Sequence, residues 1–226
     1  MANGNQYILT AEGLHKSYGR GPGRVEVLHG LDLAVMEGEF LAIMGPSGCG
    51  KSTLMHILGL ISRPESGVVT IDSRPVTNSN SQRTRLRRTM IGLIFQRFNL
   101  ISVLNAKDNV NMSLRVRGIR PGPRAGQLLE SLGVSHVARR KPSEMSIGEQ
   151  QRVAVARALA HRPKVLLADE PTGSLDSVNG HALMEILKKT NRDDGQTIVM
   201  ITHSEELAGY ADRTVYMQDG LLIEHN

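Results

Sequence analysis

Residues 45–53, with the sequence GPSGCGKST, constrain the fold of this chain more than any other segment. They fit the phosphate-loop pattern G-x-x-x-x-G-K-[ST]. The run FLAIMG over residues 40–45 predicts a buried strand before the loop. Apolar residues at spacings of three and four over residues 54–61 predict a helix after it. A strand, a glycine-rich turn and a helix form the context in which this pattern binds phosphate groups.

The chemistry of this loop suits a nucleoside triphosphate and its Mg²⁺. Glycines let backbone N–H groups surround a dense anion, and the positive end of the following helix dipole points at the same phosphates. The Lys51 ammonium adds a full positive charge, and the Ser52 hydroxyl is placed to bind Mg²⁺. We expect the whole loop to contact the nucleotide. Its residues are Gly45, Pro46, Ser47, Gly48, Cys49, Gly50, Lys51, Ser52 and Thr53.

Length and composition predict one globular domain over residues 1–226, because 40% of the residues are hydrophobic. The net charge of +5 suits an anionic ligand, a nucleic acid or an anionic membrane surface, without choosing among them. The first ten residues lack a basic stretch followed by an apolar core, so we expect no signal peptide. No apolar run approaches the roughly 20 residues that a membrane-spanning helix needs, so another chain must do any spanning.

Hydrophobic patterns predict a strand-rich chain with one helical section. Residues 78–82 are polar and predict a loop, and the basic run RTRLRRT over 83–89 predicts a solvated helix face, with phosphate or lipid headgroup contact as the alternative. Residues 97–160 carry helical patterns and predict an inserted helical subdomain. Asp219 and Gly220 predict a hairpin turn. The predicted strands are 7–11, 25–35, 68–71, 91–96, 165–168 and 198–202, and a further helix is predicted over 182–187.

Two short segments carry further chemistry. The buried strand 165–168 ends in Asp169 and Glu170, which predicts a carboxylate for Mg²⁺ and a second one that polarises the attacking water. The last helix of the helical section begins near residue 148. Ser146 is its predicted N-cap, and Glu149 stands at the capping-box position three residues later.

The chain resembles the ATP-binding subunits of ABC transporters over nearly its whole length. The resemblance rests on MSIGEQQR at 145–152, VLLADEPT at 165–172 and GSLD at 173–176, in that order after the phosphate loop. It implies an α/β fold. Its parts are a P-loop NTPase core with a mixed β-sheet flanked by helices, an N-terminal antiparallel β-subdomain and an inserted α-helical subdomain.

The resemblance also implies the roles of the site residues. Tyr18 matches the aromatic that stacks on adenine, Gln96 the glutamine that senses Mg²⁺ and the γ-phosphate, and His203 the switch histidine. The implied catalytic residues are Glu170 as general base, His203 and Gln96. The implied Mg²⁺ ligands are Ser52, Gln96 and Asp169. The implied contacts to ATP on a second subunit are Ser146, Gly148 and Glu149.

The resemblance implies two partners. One is a second copy of the chain, in a head-to-tail homodimer that buries two ATP molecules. The other is a transmembrane permease, which would hold the protein at the cytoplasmic face of the inner or plasma membrane. Phe98, Leu100 and Leu104 would line a groove for a permease helix, or else belong to the ordinary core. Ile147 departs from the family pattern, which usually has a glycine there.

Local phrases favour one group within the family. PSE at 142–144 and ADEPTGSLD at 168–176 resemble the macrolide-export and lipoprotein-release group. The alternatives are a cell-division-type ATPase and a soluble ATPase of the same family that acts on DNA. The latter usually carries coiled coils or zinc modules for which this chain has no room, so we expect no nucleic acid partner. A small-molecule P-loop kinase would leave residues 145–152 and His203 without a role.

Overall fold

The computed structural model of the protein describes residues 7–223. The expectation of no signal peptide falls in part on residues 1–6, which lie outside the described residues. No helix within residues 7–223 combines the length and the apolar character that a bilayer span requires.

An antiparallel sheet forms the N-terminal part of the fold. Its strands are β1 (Tyr7–Tyr18), β2 (Val25–Met36), β4 (Ser66–Ile71) and β5 (Arg74–Pro75), in the order β2-β1-β4-β5. β1 continues well beyond the predicted segment 7–11, because three shifts of register, after Ala11, after Leu14 and after Lys16, let it stay paired with β2. The predicted antiparallel subdomain is confirmed.

A six-stranded mixed sheet forms the centre of the molecule, in the order β10-β9-β3-β8-β7-β6. Five strands pair in parallel, and β10 pairs antiparallel with β9 through the predicted turn at Asp219 and Gly220. The predicted α/β fold is therefore confirmed. The strands are β3 (Phe40–Met44), β6 (Ile91–Ile94), β7 (Val165–Asp169), β8 (Thr197–Ile201), β9 (Arg213–Gln218) and β10 (Leu221–Ile223).

Helices cover this sheet, and three of them lie between β6 and β7 in the chain. These three are α3, α4 and α5, within the segment 97–160 that the sequence predicts to be helical. The helices are α1 (Lys51–Leu58), α2 (Asn80–Met90), α3 (Ala106–Arg115), α4 (Arg124–Ser131), α5 (Ile147–Leu159), α6 (Ser177–Asp194) and α7 (Glu205–Ala208).

Three helices differ in extent from the predictions, and one of them, α6, spans Ser177–Asp194 and not only the predicted segment 182–187. The loop prediction for 78–82 is wrong in part, because the Ser79 side chain accepts a hydrogen bond from Gln82 N and starts α2 at Asn80. The periodic pattern over 54–61 overruns the helix, which ends at Leu58. Leu60 has a φ of 57°, in the left-handed region that ends helices.

Strand β3 separates two hydrophobic cores. Leu41 and Ile43 face the antiparallel sheet and α1, whereas Phe40, Ala42 and Met44 face the helical section. Since both faces of β3 are buried, its sequence is a continuous apolar run without alternation. This sandwiched strand holds the loop that follows it.

Candidate active site

Three strand ends bring the candidate residues to one edge of the central sheet. The phosphate loop follows β3, Asp169 ends β7, and His203 stands two residues after β8. β8 pairs in parallel with both β3 and β7, so the carboxyl ends of these strands meet. Ligands of open α/β sheets bind at this kind of edge.

Gly45 must be a glycine for the loop to leave β3 as it does. Its φ is 145°, and a Cβ atom there would lie 2.1 Å from the backbone oxygen of Met217. No side chain can be accommodated against backbone at that distance. The neighbouring strand β9 therefore fixes the direction in which the loop starts.

Lys51 is buried at the start of α1, and its ammonium is held inside the loop. Nζ donates hydrogen bonds to Gly45 O at 2.8 Å and Pro46 O at 2.7 Å. Gly50, the N-cap of α1, supplies no side-chain cap, so the first N–H groups of the helix remain available to an anion. Cys49 is buried beside this ammonium, with Sγ 3.7 Å from Nζ. The loop thus concentrates positive charge and unused donors.

Two carboxylates and an imidazole form the acidic side of the site. His203 Nε2 lies 2.7 Å from Glu170 Oε1. Burial and the negative charge of Glu170 raise the pKa of Asp169, while the positive charges of His56 and Lys51 oppose that rise. These mutual effects mean that the loop and both acidic residues share one site.

Glu170 adopts an unusual backbone conformation. Its φ is 46°, in the left-handed region that costs a non-glycine residue about 1–2 kcal/mol. Its N–H donates to Ile201 O at 3.1 Å, which ties it to the end of β8. The turn directs the carboxylate toward His203.

The donor set fits Mg²⁺ better than a softer metal. The Ser52 hydroxyl and the Asp169 carboxylate are hard oxygen ligands, which Mg²⁺ prefers in combination with substrate phosphates and water. Within residues 7–223, no three His, Cys, Asp or Glu side chains gather into a group that could hold a metal.

Gln96 follows β6 and lies against the loop after Glu170. A Cβ atom on Gly173 would stand 2.9 Å from Gln96 Nε2, so a larger residue there would displace this amide. The Ser174 hydroxyl donates to Gln96 O at 3.4 Å. The structure thus joins Gln96 to the segment that carries the two acidic residues.

The segment 145–152 forms the predicted N-terminus of α5. The Ser146 hydroxyl accepts from Glu149 N at 3.2 Å, and Glu149 Oε2 accepts from Ser146 N at 2.7 Å. This capping box is confirmed. A Cβ on Gly148 would lie 3.0 Å from Asn179 Oδ1, and the side chain of Ile147 is 52% exposed. Within residues 7–223, no hydrogen bond or ion pair joins Ser146, Gly148 or Glu149 to the phosphate loop.

The residues predicted to contact adenine and the permease lie in two other places. Tyr18 ends β1 with 46% of its surface exposed, and Lys16 Nζ lies 5.3 Å from its ring centroid. Leu100 packs against the hydrophobic core, as the alternative interpretation has it. Phe98 and Leu104 are half-buried.

Three contacts that support the site are not evident from the sequence. His136 Nε2 lies 2.8 Å from Glu149 Oε1, beside the capping box. The buried amide of Gln151 donates to Pro171 O at 2.6 Å and links α5 to the loop after Glu170. Arg157 donates to Phe98 O at 2.8 Å. For Gln151 and Arg157, the signal in the sequence is a polar or charged residue among the apolar positions of α5. That signal does not specify which atom the side chain contacts.

Known proteins share this sequence pattern. Residues 28–173 match the family model described as ABC transporter. The lipoprotein-releasing system ATP-binding protein LolD 2 of Caulobacter vibrioides is 44% identical over 219 residues, which cover 95% of this chain and 96% of that protein. An uncharacterized ABC transporter ATP-binding protein of Methanocaldococcus jannaschii, MJ0796, is 42% identical over 94% of each chain.

Solved structures share the fold. The dimeric post-hydrolysis state of the ATP-binding cassette MJ0796 bound to ADP and Pi superposes with a TM-score of 0.89 at 39% identity, covering 97% of this chain and 98% of that one. The cbiO1 protein from Clostridium perfringens, part of the ABC transporter complex cbiONQ, gives a TM-score of 0.86 at 31% identity. It covers 96% of this chain and 87% of that one.

Proposed function

Because the chain belongs to the ABC transporter family as an ATP-hydrolysing subunit, we propose that it powers a permease of the macrolide-export or lipoprotein-release type. The ATP-driven step is head-to-tail dimerisation of two copies. The single observation that carries the chemistry is the Glu170–His203 pair beside Asp169 at the end of the phosphate-loop sheet. The similarity to lipoprotein-releasing proteins over 95% of the chain supports the choice of permease.

Glu170 acts as the general base in this proposal. His203 holds its carboxylate in one orientation, so that the other carboxylate oxygen can accept a proton from the attacking water. General-base catalysis of this kind contributes roughly 10²–10⁴-fold to the rate. Gln96 reaches the same segment through Gly173 and would report the presence of the γ-phosphate.

Lys51 and the N–H groups of the phosphate loop bind the β- and γ-phosphates, and Tyr18 stacks on the adenine. Ser52, Asp169 and Gln96 would hold Mg²⁺, which supplies charge neutralisation on the phosphates when bound. The Lys51 ammonium, which now donates to Gly45 O and Pro46 O, would turn its donors to the phosphates.

Ser146 and Gly148 complete the site of the opposite subunit. In the capping box the Ser146 oxygen accepts a hydrogen bond, so its O–H remains a donor for a phosphate. Glu149 keeps the turn in shape. An exposed, capped helix start suits the closing half of a composite site better than a place in its own chain's site.

Residues 97–160 form the helical subdomain, and Phe98 and Leu104 lie near the groove for a permease helix. The protein would then lie at the cytoplasmic face of the membrane. A DNA-directed function is the alternative, but the relatives named above are lipoprotein-releasing and transporter proteins, which favours the permease.

A dimerisation experiment tests the composite site. In a Glu170→Gln background, ATP should produce a dimer in analytical ultracentrifugation. Adding Ser146→Arg should abolish the dimer and leave the affinity of the monomer for ATP unchanged. Ser131→Arg, at another exposed serine, is the matched control and should leave the dimer intact. A Ser146→Arg protein that loses ATP affinity as a monomer would assign Ser146 to its own chain's site and overturn the proposal.

A further inference from the structure

The basic charge of this chain is concentrated in one part of the sequence. Residues 73–129 contain eleven Lys or Arg residues and a single acidic residue, Asp108, although the whole chain has a net charge of only +5. This section spans α2 and α3. Within residues 7–223, none of its Lys or Arg residues forms a salt bridge.

Backbone carbonyls hold these arginines in place without neutralising them. Arg87 donates to Leu60 O at 2.7 Å, and Arg117 donates to Ser113 O at 2.6 Å. Arg88 donates to the carbonyl of Val116 at the end of α3. A carbonyl carries no net charge, so each of these contacts positions a guanidinium whose positive charge still acts outward.

The crowding of like charges is visible at two of these side chains. Burial and the charge of Arg88 lower the pKa of Arg117. Burial and the charges of Arg63 and Arg87 lower the pKa of Arg83. Such proximity is unfavourable in the isolated protein, and a surface of opposite charge would offset it.

The basic run 83–89 of α2, predicted to form a solvated helix face, is only partly exposed to solvent. Arg83 is buried and donates to the carbonyl of Ser62, contrary to the expectation for 83–89. The exposed side of the helix lines a depression of about 650 Å³. Hydroxyls and guanidiniums, which are the donors that phosphate oxygens accept, surround it. They belong to Ser81, Thr84, Arg85, Arg88, Thr89 and Arg117.

The turn after α3 adds apolar side chains to this surface. Its sequence over residues 115–120 is RVRGIR, in which Val116 and Ile119 lie among three arginines. Val116 is 52% exposed and Ile119 is 45% exposed. Segments that lie in the interface of a bilayer combine Lys or Arg, which contact anionic lipids, with apolar side chains that enter the headgroup region. A nucleic acid would match the arginines but leave these aliphatic side chains in water.

We propose that the exposed side of α2 and the turn 115–120, together called the basic face, bind the anionic headgroups of a membrane leaflet. Arg85, Arg115 and Arg120 contact lipid phosphates, and Val116 and Ile119 enter the headgroup layer. The contact goes beyond ATP hydrolysis and requires neither nucleotide nor permease. Its failure in an experiment would leave the ATPase proposal untouched.

Vesicle flotation with the purified full chain tests the proposal. The protein should float with phosphatidylcholine vesicles that contain phosphatidylglycerol, and stay behind with phosphatidylcholine alone. Arg85→Gln, Arg115→Gln and Arg120→Gln together should lower binding by about a hundredfold, since each basic residue near an anionic leaflet contributes about 1 kcal/mol. The matched control, Arg139→Gln, Lys189→Gln and Arg192→Gln, removes the same charge from exposed positions elsewhere and should bind like the unmodified chain.

A second variant separates the contribution of the two aliphatic side chains to membrane binding from that of the arginine charges. Val116→Ser with Ile119→Ser should weaken binding and leave its dependence on salt unchanged. Thermal unfolding of each variant checks that the fold is retained. Three results would overturn the proposal: equal binding to both kinds of vesicle, equal loss in the control variant, or displacement from the vesicles by duplex DNA at equal phosphate concentration. Binding of the protein through its basic face to an acidic polypeptide, without binding to vesicles, would overturn it as well.

Discussion

His203 Nε2 lies 2.7 Å from Glu170 Oε1, so the ends of the neighbouring strands β8 and β7 are joined by one polar pair. Glu170 also donates its N–H to Ile201 O, the last residue of β8. The first contact thus fixes the backbone of Glu170, and the imidazole fixes the position of its carboxylate. A carboxylate held at both points is ready to act on a water without reorganising.

Removing this imidazole should slow turnover without weakening nucleotide binding. We expect His203→Ala to lower kcat about a hundredfold, because Glu170 loses the partner that orients its carboxylate. The affinity for ATP should change little, since Lys51 and the loop supply it. Steady-state ATPase assays and calorimetric titration with a non-hydrolysable ATP analogue measure the two effects. His181→Ala, which removes a different paired histidine, is the control. An unchanged kcat would contradict the role given to the pair.

Lys51→Ala should lose affinity for ATP. One charge-assisted hydrogen bond contributes about 1.5–3 kcal/mol, so the dissociation constant should rise roughly tenfold to a hundredfold. Lys164→Ala removes a lysine from the surface and should bind ATP normally. Because Lys51 also bonds to Gly45 O and Pro46 O, thermal unfolding must show that the variant is folded. Tight ATP binding by a folded Lys51→Ala protein would refute the phosphate-loop assignment.

Ile147→Gly should keep or raise ATPase activity. The side chain is half-exposed, so its removal leaves no cavity, and it clears the approach to the start of α5. A glycine in the first turn costs up to about 0.5–1 kcal/mol of helix stability. Ile147→Ala shortens the side chain without that cost and separates the two effects. A large loss of activity in both variants, measured under saturating ATP, would show that the isoleucine itself is required.

Local patterns predicted much of the fold and of the site. The phosphate loop, the capping box at Ser146 and the hairpin at Asp219 each depend on residues a few positions apart, so a single sequence contains the whole signal. Continuous apolar runs such as 165–168 likewise indicate strands that are buried on both faces.

Contacts between distant elements could not be predicted in this way. The hydrogen bond from Gln151 to Pro171 O joins α5 to a loop 20 residues away, and the bond from Arg83 to Ser62 buries an arginine in a helix that reads as polar. Neither depends on periodicity. Both follow from the packing of elements whose relative positions the local sequence does not specify.

The last prediction concerns stability at mildly acidic pH. His161 Nε2 donates to Ile91 O at 3.1 Å, while its buried Nδ1 has no hydrogen-bond partner within residues 7–223. Burial, together with the charge of Arg117, lowers the pKa of His161 from 6.5 to about 4. Between these two values the unfolded chain binds a proton that the folded chain does not. The free energy of unfolding should therefore fall as the pH is lowered from 6.5 to about 4, with no further loss from this group below that range.

Urea unfolding at several pH values measures this effect through a matched pair of variants. His161→Gln cannot be protonated and keeps a donor for Ile91 O, so its stability should fall less steeply than that of the unmodified chain. The difference between the two curves should reach about 2 kcal/mol near pH 4, allowing for the part of the ring that faces water. Parallel curves for His161→Gln and the unmodified chain would mean that the ring is protonated at the same pH in the folded and unfolded states.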